Sequence, residues 1–241
     1  MAAVFYVSRD NTDAAGGLTL ADGGREVEFK FRVEGPAAFE ALARAAGARP
    51  SAPIVQTNHF FDTPARALNS RRHTLRLREE AGRFLLTAKG PGERAGALSS
   101  RAEEEVEVPK PEAESIVVGA RSPLAALEAR ADPRARELLA TMRSIAGTTP
   151  LRHVGAFQNE RARLDVTLSI ASHTIPVTFE MDRTTFPGDQ VHYEVEVEIA
   201  ATDAAAVERA LRDFFAKANV AWREAPSKAR RFFDAAAGKP I

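Results

Sequence analysis

Charged and apolar residues alternate strictly over residues 26–33, Glu-Val-Glu-Phe-Lys-Phe-Arg-Val. Glu26, Glu28, Lys30 and Arg32 fall on one face of a strand, and Val27, Phe29, Phe31 and Val33 on the other. The same period returns over 193–199, with Glu194, Glu196 and Glu198 opposite Val195, Val197 and Ile199. Between these two segments the pattern predicts strands over 55–61, 73–78, 83–89, 101–108, 153–163, 164–171 and 175–182, with the last strand running over 192–199. In three places the period lengthens to that of a helix. Gly35-Pro36 opens one with Phe39, Leu42, Ala43 and Ala46 on a shared face, and Gly47 ends it. The stretch at about 111–147 reads as a helical insertion, with Ser122-Pro123 and Asp132-Pro133 as cap-plus-first-turn pairs. Residues 203–218 carry Val207, Leu211, Phe214 and Phe215 on one apolar face. Residues 1–24, rich in Gly, Asp, Thr and Ala, are expected to form a flexible leader, with 25–235 as a single domain.

The polar faces of these strands are unusual when taken together. Arg76 shares a face with Arg78, Arg101 with Glu103, Glu105 and Glu107, and Arg161 with Asn159 and Arg163. Any one such strand suits an antiparallel sheet with its polar side in water. Rows of like charge at Glu26/Glu28 and Glu194/Glu196/Glu198 suit it poorly, because same-sign neighbours repel. The basic rows at 76/78 and 161/163 complement them. A closed antiparallel barrel with a charged interior, its apolar outer face wrapped by helices, accounts for both rows and helices, and defines an α+β fold. Its acidic wall would suit divalent cations and its basic wall a polyanion.

Composition narrows the function classes. The 241 residues are 44% apolar and 27% charged, which is ordinary for a soluble globular chain with a real core. Formal net charge is zero, so no global field directs the protein to a membrane or, with any specificity, to nucleic acid. Cysteine is absent, which excludes disulfides, thiolate metal sites and a cysteine nucleophile, and fits the expected cytoplasmic location. No Gly-x-Ser-x-Gly elbow and no Walker phosphate loop is present, so a phosphate site would have to be built from side chains. His59, His73, His153, His173 and His192 lack metal-type spacing and read as packing or surface residues, with His73 and His192 flanking the charged strands. Asp62-Thr63-Pro64 reads as a strand-ending turn. The oligomeric state is left open.

Glu26-Val-Glu-Phe-Lys30 is similar to the E-x-E-x-K signature of the CYTH, or triphosphate tunnel metalloenzyme, superfamily. Further ordered matches span about residues 25–233. They include His59-Phe-Phe-Asp-Thr63, Leu75-Arg-Leu-Arg78, Leu86-Thr-Ala-Lys89, residues 101–105, Arg161, Asp182, residues 193–199 and Ser227-Lys228. The resemblance implies a closed eight-stranded antiparallel tunnel that binds triphosphate or polyphosphate with Mg²⁺ or Mn²⁺. It implies Glu26, Glu28, Glu194 and Glu196 as metal ligands, with Glu105, Asp182 and Glu198 beside them. It implies Lys30, Arg76, Arg78, Lys89, Arg161 and Lys228 as phosphate contacts, and Glu26, Glu28, Lys30, Arg78 and Lys228 as the catalytic set. The tract 89–98 and the helical insertion look most like the inorganic-triphosphatase branch. The expected activity is metal-dependent hydrolysis of inorganic or short organic triphosphate, with a class IV-type adenylyl cyclase or a non-catalytic polyphosphate-binding module as alternatives.

Overall fold

The computed structural model describes residues 25–170, 173–199 and 204–241, so the expected leader at 1–24 lies outside the described residues. Among the described residues there are nine strands: β1 (Arg25–Val33), β2 (Ile54–Asp62), β3 (Thr74–Glu80), β4 (Arg83–Lys89), β5 (Glu93–Ala95), β6 (Leu98–Glu107), β7 (Arg152–Ile170), β8 (His173–Phe186) and β9 (Gln190–Glu198). Eight of them run in the order β1-β9-β8-β7-β2-β3-β4-β6, and β6 pairs back to β1, which closes an all-antiparallel barrel. The short β5 pairs only with β6 and stands outside the ring. Closure leaves the eight ring strands without a free edge along the paired stretch.

The outer face follows from the alternation. Phe29, Phe31, Val195 and Val197 turn outward and are buried with Val207, Leu211 and Phe215 of helix α6 (Ala204–Lys217). Helix α1 (Gly35–Ala46) adds Leu42 to this cluster and ends at Gly47 in the left-handed conformation, φ 64°. On the far side, Leu75, Leu77 and Leu86 are covered by helices α3 (Lys110–Val117), α4 (Pro123–Glu128) and α5 (Arg136–Ala146), while the four-residue α2 (Ala67–Ser70) adds Leu68. The two proline starts form as expected. Ser122 Oγ accepts from Ala125 N at 3.3 Å, and Asp132 Oδ1 accepts from Arg134 N at 2.8 Å. Asp62 is a cap rather than a reactive carboxylate, since it accepts from the backbone of Thr63, Leu68 and Asn69 at 2.7–2.9 Å.

Two features depart from the pattern read along the chain. The expected strands 153–163 and 164–171 are, as far as Ile170, one continuous strand, β7, because Arg163-Leu164 offers no turn residue and the alternation runs on; residue 171 lies outside the described residues. A seventh α-helix among the described residues, α7 (Lys228–Ala236), packs Phe232 onto the inward-facing Phe60 and Phe157, with Phe186 beside them, and so lies across one end of the barrel. Its approach is close. A Cβ on Gly155, whose φ is +132°, would stand 2.9 Å from Phe232 Cζ. Gly155→Ala should therefore cost about 1–3 kcal/mol in backbone strain plus the clash. Gly82→Ala, with φ +79° and open space around it, carries the strain alone. Urea midpoints of the two variants test this; an equal loss would mean that Phe232 yields freely.

Candidate functional site

The alternation that points Val and Phe outward points the charges into one cavity of about 1050 Å³. Glu26, Glu28 and Lys30 come from β1, Arg76 and Arg78 from β3, Lys89 from β4, Arg101, Glu103 and Glu105 from β6, Arg161 from β7, Glu180 from β8 and Glu196 and Glu198 from β9, and Lys228 enters from the start of α7. Register brings the walls together. Lys30 lies opposite Glu196, Glu28 opposite Glu198, Arg161 opposite Asp182, and Lys89 opposite Glu103.

Asp182 and Glu194 do not line the cavity but sit directly behind Glu196, the carboxylate oxygens of the three lying within 4.8 Å of one another. This buried acidic cluster is matched by cations. Lys228 Nζ stands 2.7 Å from Asp182 Oδ2 and 2.9 Å from Glu196 Oε1, and also pairs with Glu194. Arg161 donates to Asp182 at 2.8 and 2.6 Å and to Glu196 at 2.7 Å, and pairs with Glu180 as well. Asn159 donates to Asp182 at 2.8 Å. Burial opposes ionisation of Asp182, yet Arg161 and Lys228 outweigh it and hold its pKa down at about 2.

Nearer the open end the balance tips toward acid. Glu26 is buried, but Lys89 at 2.9 Å and Arg101 at 2.6 Å hold its carboxyl well below the usual range. Glu28 is different. Burial first, then the charges of Glu26 and Glu196, push it up to about 7 despite Lys30 at 2.7 Å. Glu198, on the solvent-reached rim, is pushed up by desolvation and by Glu26, Glu180, Glu28 and Glu103 around it. Carboxylates crowded beyond their local cations form an all-oxygen donor set that fits a hard divalent ion such as Mg²⁺ or Mn²⁺.

The basic wall is less satisfied. Arg76 and Arg78 share a face of β3, and their contacts to Glu105 are long, at 3.7 and 3.5 Å. Arg76 Nε is buried with no hydrogen-bond partner, and its guanidinium is pushed down by burial and by Arg78. Arg78 also pairs with Glu80 at 3.2 Å. Two half-buried cations with unspent donors suit an anion with many oxygens. Near the floor, Arg231 escaped the sequence reading, and His192, read as a packing or surface residue flanking the charged strands, stands beside it. Arg231 of α7 is fully buried, pairs with Glu194, and donates to Pro226 O at 3.1 Å. His192 lies between Arg32 at 3.1 Å and Arg231 at 3.3 Å, and burial with those two charges pushes its pKa down to about 4. The family resemblance places Lys228 at the site, whereas the helix over 228–236 that carries Arg231 is marked only by its amphipathicity.

A barrel with an acidic and a basic wall facing one chamber defines the class, and the family follows. The model of the CYTH domain matches residues 24–233, and the chain belongs to that family. Among solved structures, HpAC1 from Hippeastrum superposes with a TM-score of 0.70 at 23% identity, covering 90% of this chain and 97% of that one. HpAC1 is a nominal adenylyl cyclase described as having a dominant triphosphatase activity. A nominal adenylate cyclase from Bacillus halodurans superposes with a TM-score of 0.62 at 21% identity, covering 87% of this chain and 99% of that one. At these identities the likeness is one of fold. A search of curated proteins finds no match. Among the described residues, no helix is long and apolar enough to cross a membrane.

Proposed function

We propose that the protein hydrolyses the terminal phosphoanhydride of an inorganic or short organic triphosphate, using Mg²⁺ or Mn²⁺. The observation that carries this reading is the pairing, in one chamber, of under-satisfied Arg76 and Arg78 with the crowded carboxylates Glu26, Glu28, Glu196 and Glu198. Those glutamates would hold the cation, which when bound neutralises phosphate charge and activates water. Arg76 and Arg78 bind the phosphate chain and stabilise charge on the oxygens of the phosphoryl group under attack. Water adds to the terminal phosphorus, the bridging P–O bond breaks, and diphosphate leaves. Arg161 and Lys228 are held by three carboxylates each, so their part is to position the acidic wall. The described activity of HpAC1 supports hydrolysis; the cyclase names of both neighbours keep cyclisation as a second reading.

Phosphate release from tripolyphosphate and ATP, with Mg²⁺ and with Mn²⁺, tests the proposal, alongside detection of cyclic AMP. Cyclic AMP with pyrophosphate would favour the cyclase, and binding without turnover a non-catalytic module. On the same reading, Arg78→Ala removes a charge-assisted contact and should weaken tripolyphosphate binding about tenfold to a hundredfold in calorimetry. Pyrophosphate spans fewer side chains and should feel the change less. Equal tripolyphosphate affinity for wild type and variant would take Arg78 out of the site.

A further inference from the structure

Outside the tunnel, two histidines 94 residues apart meet on the outer wall: His59 Nδ1 of β2 lies 3.1 Å from His153 Nε2 of β7. We propose that this pair is a chelating site for a borderline divalent transition cation of the Zn²⁺, Ni²⁺ or Cu²⁺ type, separate from the oxygen-lined tunnel. Soft-to-borderline ions take imidazole nitrogen, whereas Mg²⁺ and Mn²⁺ prefer the carboxylates inside.

Three features of the wall build the site. The first is a β-bulge. Phe60 pairs with Gly155 but Phe61 pairs with His153, so Val154 is an extra residue in β7. Without it, the odd-numbered positions of β7 that carry Asn159 and Arg161 inward would carry His153 inward too. The bulge reverses the parity and turns His153 to the outer face that His59 and Phe61 share, as bulges do where a side chain must be re-aimed. The permissive φ of Gly155 is what lets the chain make that step.

The second is the ring orientation. Burial pushes the His153 pKa down, and the Gly155 backbone acts against that in the sense of a carbonyl acceptor for the ring. With Nε2 turned to His59, the nitrogen left to donate is Nδ1. A backbone carbonyl on one ring nitrogen fixes the tautomer and frees the lone pair on the other, the arrangement found behind metal-bound histidines. The third is the bite. Two imidazole nitrogens bound at Zn–N distances of 2.0–2.1 Å stand about 2.9 Å apart at a right angle and about 3.3 Å apart at the tetrahedral angle. The observed separation falls between. Both rings are reachable from solvent, and Glu79 on β3 acts on His59 as a negative charge, which favours a cation there. Water completes the shell.

The test is Zn²⁺ titration by calorimetry on the full chain in saturating Mg²⁺, which keeps the tunnel occupied. Wild type should show one Zn²⁺ per chain that Mg²⁺ does not displace. His153→Ala and His59→Ala should each weaken that event by about tenfold or more, with unchanged far-UV circular dichroism, since neither side chain is buried in a core. The same isotherm for wild type and both variants, or no Zn²⁺ bound in Mg²⁺, would overturn the proposal and leave the pair as an N–H···N hydrogen bond.

Discussion

Glu28→Gln should lose triphosphate hydrolysis by on the order of 10²–10³-fold in kcat/KM while the metal-free protein melts at a higher temperature than wild type. Both effects have one cause. Glu28 is buried among Glu26 and Glu196, and its pKa of about 7 in the folded protein lies above the ordinary 4.5. The folded state therefore binds that proton more tightly than the unfolded chain does. The resulting stabilisation is fully present below about pH 4.5 and is lost as pH rises through about 7. At pH 8 the wild-type carboxylate is charged and crowded, and a neutral amide should relieve on the order of 1–3 kcal/mol. At pH 5 most of that difference should vanish. A bound divalent ion relieves the same crowding, so Mg²⁺ should raise the melting temperature of wild type more than that of the variant. Melting curves at pH 5 and pH 8, in EDTA and in Mg²⁺, read all of this. Full activity in the variant, or a melting difference independent of pH, would remove Glu28 from the cation site.

The second large effect concerns the floor of the chamber. Arg231 is buried against Glu194, His192 and Pro226 O, with its guanidinium 5.0 Å from the Phe186 ring. Arg231→Ala strands a buried carboxylate with Lys228 as its remaining cation, a loss of about 3–5 kcal/mol. Because Arg231 joins α7 to β9, amide exchange across 228–236 should rise well beyond the global loss. The neighbouring Arg230 is a control: it is exposed and reaches Asp234 at 3.6 Å, so Arg230→Ala should change stability by no more than about 0.5 kcal/mol. Equal urea midpoints for the two variants would show that Arg231 does not fasten the helix.

Where both faces of a strand have a job, the sequence states it. The charges of β1 and β9 alternate with residues as large as Phe29 and Phe31, and closure of the barrel follows from asking which face can tolerate the carboxylates. Counting by twos also assembles several rows of the chamber, from Glu26 to Arg76 to Arg161, whereas Lys89 and Lys228 are placed by the family resemblance alone. It failed at two kinds of place. At Val154 one extra residue reverses the parity of β7, so His153 faces outward although its number shares the parity of inward Arg161. A bulge leaves no mark on the pattern except the nearby glycine. At α7 the difficulty is distance. An arginine in a short amphipathic helix reads as solvent-facing, and the partner that buries Arg231 lies 37 residues earlier on another strand. Alternation likewise put Glu194 in line with Glu196, but could not tell that a helix folds beneath it.

The helix across the barrel's end also sets a traffic rule. With Phe232 stacked on Phe60 and Lys228 entering the chamber from the helix start, α7 closes off one end of the chamber among the described residues. If the protein acts on phosphate chains as proposed, one longer than the chamber would enter by its tip and leave its tail in solvent. Under the proposed hydrolysis, cleavage would then fall at a fixed depth from the end. Whatever is cut off deepest would also be the last to leave, after the remaining fragment has backed out.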